Sequence, residues 1–126
     1  MRRLTLLAAL IAAAATLAGC KAQIQPPGDV GVCYHLAAIK DGKPQFNVVA
    51  KSIPDMEHCA AQLEIMRNHF LSLGGSNRDI VGAYQENFLF LGDEGVFTAA
   101  TYTGHQYPFL VRSGAQLVPV GSQPAE

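Results

Sequence analysis

Charge is scarce in this chain: Asp, Glu, Lys and Arg make up 15% of its 126 residues, with a formal balance of −1 and no long run of one sign. The basic pair Arg2-Arg3 belongs to a leader, so residues 20–126 hold seven Lys/Arg against ten Asp/Glu, a balance of −3. A nucleic-acid binder displaces counterions with a basic stripe, and none is present. Internal repeats are missing too, which excludes repeat architectures and leaves one small domain. Neither HExxH nor CxxC occurs, so two common metal and redox signatures are absent. The apolar run over residues 4–17 is shorter than the ~20 residues a membrane-spanning helix needs.

What the amino terminus does have is a secretion signal: two positive charges, an uncharged run of Leu, Ala and Ile, then small residues. It ends in Leu17-Ala18-Gly19-Cys20, and here the chain resembles the bacterial lipoprotein class, whose lipobox has Leu, two small residues and a cysteine. That resemblance implies cleavage after residue 19 and attachment of a thioether-linked diacylglycerol and an N-acyl chain, such as palmitate, to Cys20. Each buried CH₂ contributes about 0.8 kcal/mol, so three acyl chains give permanent anchoring. An Asp after the lipidated cysteine retains some lipoproteins in the inner membrane. This chain has Lys21, which favours the outer membrane, with the domain facing the periplasm. Residues 20–29, with two prolines, a glycine and no periodicity, read as the lipidated cysteine and a flexible tether of roughly 30 Å.

The clearest element lies in residues 52–75. Met56, Cys59, Leu63, Met66, Phe70 and Leu73 recur at helical spacing and form one apolar stripe. Ser52, Pro54 and Asp55 signal its start, Asp55 and Glu57 suit the positive end of the dipole, and Gly74-Gly75 ends it. Before the helix, Asp41-Gly42 is a two-residue hairpin turn, because a type I′ turn needs positive φ at both central positions. Such a turn pairs Ala37 with Phe46, His35 with Val48 and Cys33 with Ala50, and puts Cys33 on the more apolar face. Gly92-Asp93-Glu94-Gly95 makes a second hairpin, pairing Leu91 with Val96, Phe90 with Phe97 and Phe88 with Ala99. Residues 107–112 read as a last strand at an edge, since Pro108 cannot donate to a central ladder.

With Cys20 acylated, as the lipobox implies, two cysteines remain in an oxidising compartment. One is on the apolar hairpin face and one on the helix stripe. A Cys33–Cys59 disulfide follows. The expected architecture is α+β, an antiparallel sheet of about four to five strands (ββαβββ) with one amphipathic helix on one face. Its parts are a cleaved signal over 1–19, the tether over 20–29, the domain over 30–113 and a loose tail over 114–126. In that tail Leu117, Val118 and Val120 could still lie against the sheet.

Candidates for chemistry are few. His58 and His69 are eleven residues apart, so about 16 Å separates them along a helix, too far to ligate one ion. His35 reads as a core-edge histidine, and His105 as a solvated loop residue. A cysteine nucleophile beside His58 or His35 would need a free thiolate, which a disulfide removes. Asp93 and Glu94 occupy a tight turn, where carboxylates serve solubility. Catalytic residues, metal ligands and cofactors other than the lipid are therefore not expected.

One helix covers one side of a sheet. The other side is expected to present Val32, Tyr34, Leu36, Leu89, Leu91 and Val96, an apolar face of the kind that meets a partner. The first expectation is thus a non-catalytic, membrane-anchored lipoprotein acting by protein–protein interaction, with an envelope protein or a second copy as partner. A periplasmic small-molecule or peptide binder, using Tyr84, Tyr102 and Tyr107, is the alternative, and a cryptic hydrolase is a third.

Overall fold

The computed structural model describes residues 23–75 and 79–122; the segment read as a signal and Cys20 lie outside these. Seven strands, β1 (Cys33–Lys40), β2 (Lys43–Ala50), β3 (Ile80–Tyr84), β4 (Asn87–Gly92), β5 (Gly95–Ala99), β6 (Tyr107–Ser113) and β7 (Gln116–Pro119), form one antiparallel sheet in the order β2-β1-β3-β4-β5-β6-β7. Among the described residues a single helix, α1 (Met56–Ser72), connects β2 to β3 across β1 and packs on one side. The class is α+β, and the strand count exceeds the four to five that the sequence suggests.

Two strands account for the difference. β3 and β4 join through Gln85 and Glu86, both at positive φ (41° and 68°). Neither residue advertises that conformation, so the turn carries no sequence signal. The stretch expected to be a loose tail supplies β7, which pairs with β6 from Ser113–Gln116 to Leu110–Pro119. Residues 107–113 are consequently an inner strand, and Pro108 is accommodated where the β5–β6 register shifts after Val96.

The helix follows its signals closely. The Asp55 side chain accepts from the His58 backbone N–H at 2.8 Å, and Gly75 N–H to Phe70 O with Gly74 N–H to Leu71 O close the end as a Schellman motif. Its buried residues are Cys59, Ala60, Leu63 and Arg67. The stripe therefore drifts: Phe70 is 38% and Leu73 72% exposed, while Arg67 is only 5% exposed.

Gly82 in β3 shows how closely the helix lies. A Cβ there would come within 2.3 Å of Leu63 Cδ1. Around this contact gather Cys33, Cys59, Ala60, Leu63, Ile80, Tyr84, Leu89, Leu91, Val96 and Leu110. The disulfide Cys33–Cys59, with Cα atoms 5.3 Å apart, ties β1 to α1 as the sequence predicts.

Candidate functional site

The six residues expected on one open face are divided between two. Leu89, Leu91 and Val96 lie under the helix, 0%, 1% and 0% exposed, in the same cluster as Cys33. Tyr34 and Leu36 sit opposite Val48 and Phe46 on the other side, and Val32, half-buried, precedes β1. The cause is register. Cys33 pairs with Tyr84 and Tyr34 with Ala83, which pairs with Phe88, so Tyr34 joins the phenylalanines and Cys33 the leucines. A further shift occurs at Ala37, where an extra residue in β1 pairs Leu36 with Phe46 and His35 with Asn47. Pairing of Ala37 with Phe46 and His35 with Val48 is thus corrected, whereas Cys33–Ala50 and all three pairs of the second hairpin occur.

The side away from the helix is aromatic. Ala83, Phe88 and Ala99 form a sealed central row, at most 2% exposed. Around it rings meet in a chain: Tyr34 with Phe46, Phe46 with Phe88, Phe88 with Phe90, and Tyr102 with both Phe88 and Phe90, at centroid separations of 5.8–6.1 Å. Edge-to-face and tilted contacts at such distances are favourable for rings whose faces are negative and edges positive. Tyr102 comes from the β5–β6 connection and is the only described aromatic outside the strands that reaches this side. It covers part of the surface. Tyr34, Leu36, Phe46, Phe90, Phe97 and Tyr102 remain half-buried, and Val48 is 51% exposed.

Two open grooves flank the start of β3. One, of about 430 Å³, is lined by Val81, Phe90 and Phe97 with Asp79, Asp93 and Glu94. The other, of about 380 Å³, lies where β1 beyond His35 leaves β3, with Leu36, Ile39, Phe70, Ile80, Val81 and Tyr102 among its walls. The three tyrosines of the alternative reading do not converge. Tyr84 is buried and donates its hydroxyl to Ile53 O at 2.6 Å, Tyr102 lies on the aromatic side, and Tyr107 stacks edge-on to His105 at the surface.

An ion-pair network missed in the sequence fastens the helix to the sheet. Arg112 donates to both oxygens of Glu64 at 2.7 and 3.1 Å and to Gly92 O, while Arg67 meets Asp93 at 2.6 Å and Glu64 at 3.7 Å. The hydrogen bonds it donates to Glu64 hold the Arg112 guanidinium above its ordinary pKa. Asp93 is therefore more than a solubilising turn residue. Glu64 and Arg67 are neighbours three apart on the helix, but only long-range register brings Arg112 and Asp93 to them, so no local motif marks the network.

His35, half-buried beside Phe70 with ring centroids 6.3 Å apart, has its pKa lowered by burial. The Tyr34 hydroxyl bonds to the Asp29 carboxylate, which raises its pKa. Backbone and side-chain bonds from His58 lower that of Asp55. Both described cysteines are bonded to each other, so neither is a nucleophile. Among the described residues no group of His, Cys, Asp and Glu could hold a metal ion, and no helix is long and apolar enough to cross a membrane. No protein-family model, curated protein or solved structure matches the chain.

The segment read as a tether is partly docked. Pro26 is buried, Pro27 O accepts from Glu86 N–H at 3.1 Å, and Gly31 N–H donates to Gln85 Oε1 at 2.8 Å. The amino-terminal chain thus leaves the fold beside the β3–β4 turn.

Proposed function

We propose that this chain is a non-catalytic envelope lipoprotein, moored by acyl chains on Cys20 and acting by protein–protein interaction through the aromatic side of its sheet. The observation that carries this reading is the run of half-exposed rings, Tyr34, Phe46, Phe90, Phe97 and Tyr102, on the side the helix leaves open. Aromatic side chains concentrate binding energy because each offers a large, stiff surface with few torsions to fix. The lipobox supports the mooring, and Lys21 after it supports the outer membrane as its place.

A photocrosslinking residue at Phe97, in cells producing the full chain, is expected to give a discrete adduct with an envelope protein or a second copy. The same residue at Gln62, on the exposed side of α1, should give none. Equal adducts, or none from Phe97, would count against the aromatic side. Intact mass of the membrane-extracted protein should show a triacylated Cys20, and Cys20→Ala should leave the chain unacylated. The grooves beside β3 support a second reading, a peptide or small-molecule binder, which a ligand-dependent rise in Tm would favour.

A further inference from the structure

An antiparallel sheet that shows one face to water alternates apolar with polar side chains, and this sheet does not. Directly paired strand residues share a face, so one row on the aromatic side runs from Val48 through Tyr34, Ala83 and Phe88 to Ala99. The adjoining row runs through Phe90 and Phe97. Every Asp, Glu, Lys, Arg and His of the described strands lies on the other side. His35 pairs with Gly82 beneath the helix, and Arg112 reaches Glu64 of the helix. Alternation from Phe46 puts Lys43 and its pair Lys40 there too. The aromatic side of the described strands thus holds no charge, while exposed Asp79 and Glu94 stand at its border. Rings at the centre, charge depleted there and polar groups at the rim are the anatomy of an interface core.

Size and charge together say what fits. Seven strands about 4.8 Å apart and about five residues deep cover roughly 34 by 17 Å. One such face is at the top of the range a monomer leaves open. Two of them in contact remove about 1,200 Å² from water, the lower end of what a stable specific interface buries. Tyr102 lies over Phe88 and Phe90, but it is half-buried and presents its own ring, so the covering is itself apolar. Selection of a foreign protein draws on complementary charge, and this face offers none. A copy of the same chain meets an uncharged face without repulsion, and sheet faces pack on one another about 10 Å apart.

Resting on the aromatic side as the interaction surface proposed above, we infer that its partner is a second copy of this chain. Two sheets pack aromatic side to aromatic side about a two-fold axis, with both helices outward. Tyr34, Phe46, Phe90, Phe97 and Tyr102 of each copy form the centre, and Asp79 and Glu94 stay at the rim in water.

The test uses the full chain, produced in one cell with two different peptide tags. A photocrosslinking residue is placed in one tagged form at Phe97, or at Val48, which is 51% exposed on the same face. An adduct carrying both tags is expected from either position and none from Gln62. Phe97→Lys should abolish the doubly tagged adduct from Val48, because a charge shut between two apolar faces has no partner. Val48→Lys, at an exposed edge position, should do the same to the adduct from Phe97, and closure of the Cys33–Cys59 bond on a non-reducing gel shows that each variant is folded. Persistence of the doubly tagged adduct in both variants, or an equal yield from Gln62, overturns the face-to-face pair. Discrete adducts from Phe97 in which the second tag never appears overturn the second copy and leave the aromatic side as an interaction surface. No adduct from either position overturns both.

Discussion

On the helix side of the sheet, Cys33, Leu89, Leu91 and Val96 are sealed by Cys59, Ala60 and Leu63. On the opposite side only the central row of Ala83, Phe88 and Ala99 reaches that state, under a covering that includes Tyr102, while the surrounding rings keep part of their area in water. The difference lies in what covers each side. A seventeen-residue helix, capped at both ends and bonded through a disulfide, buries a whole layer; a short connection carrying one tyrosine buries a row. The helix side is sealed by the helix, and the aromatic side keeps part of its rings in water.

The disulfide is the sharpest place to break this asymmetry. It closes a separation of 26 residues, for which chain entropy gives about 3.5 kcal/mol. The double variant Cys33→Ser/Cys59→Ser should lose about that much in urea unfolding, a large share of a small domain's stability. Loss of under about 1 kcal/mol would mean that the helix is held without its covalent tie.

Truncations compare the two sides directly. Leu63→Ala on the helix side and Phe88→Ala in the sealed aromatic row should each cost about 3 kcal/mol, because both leave a cavity that neighbours fill incompletely. Phe97→Ser, at a half-buried position, should cost about 1 kcal/mol. If Phe97→Ser destabilises as much as Phe88→Ala, the aromatic side is a second core and not a surface.

How far the sequence foretells this asymmetry depends on locality. Asp41-Gly42 and Gly92–Gly95 set their hairpins, with φ of 52° and 73° at the first turn, because the turn chemistry sits inside the turn. Asp55 and Gly74-Gly75 mark the helix ends for the same reason. The two cysteines meet as their apolar settings imply. Which hairpin face turns to the helix, however, is decided by β3, whose pairing with β1 involves Gly82, Ala83 and Tyr84 and has no turn to fix it. A displacement of one residue there exchanges every side chain between faces. The extra residue at Ala37, the Gln85–Glu86 turn and the partnership of Arg67 with Asp93 are likewise products of packing. That one side of the sheet lacks a covering helix was therefore legible, with Tyr34 and Leu36 placed on the correct side and Leu89, Leu91 and Val96 on the wrong one.

The charge network tests whether the helix side is closed by more than apolar packing. Glu64 and Arg112 are 13% and 20% exposed, enough to weaken solvent screening without removing it. Arg112→Met should cost about 2 kcal/mol, between an exposed pair and a fully buried one, by leaving Glu64 without its two-pronged partner. Adding Glu64→Gln should recover much of that loss, since a largely buried carboxylate left with only its 3.7 Å contact to Arg67 carries the larger part of the penalty. Failure of the second change to rescue the first would place the cost in the Arg112 bonds to Gly92 O.

The smallest expected effect probes the seam where the helix stops covering β1. His35 shares a row with Gly82 and Leu89 and rests against Phe70, the residue at which the stripe turns outward. Burial lowers its pKa, so the unfolded chain takes up a proton near the ordinary value of about 6.5 while the native protein resists until lower pH. Its contribution to stability is accordingly complete above about pH 6.5, declines as pH falls toward the lowered native value, and levels off below it. His35→Gln should flatten that part of the Tm profile while leaving the alkaline limb unchanged. If the wild-type profile is already flat there, water reaches the imidazole, and the seal of the helix side ends before β1 does.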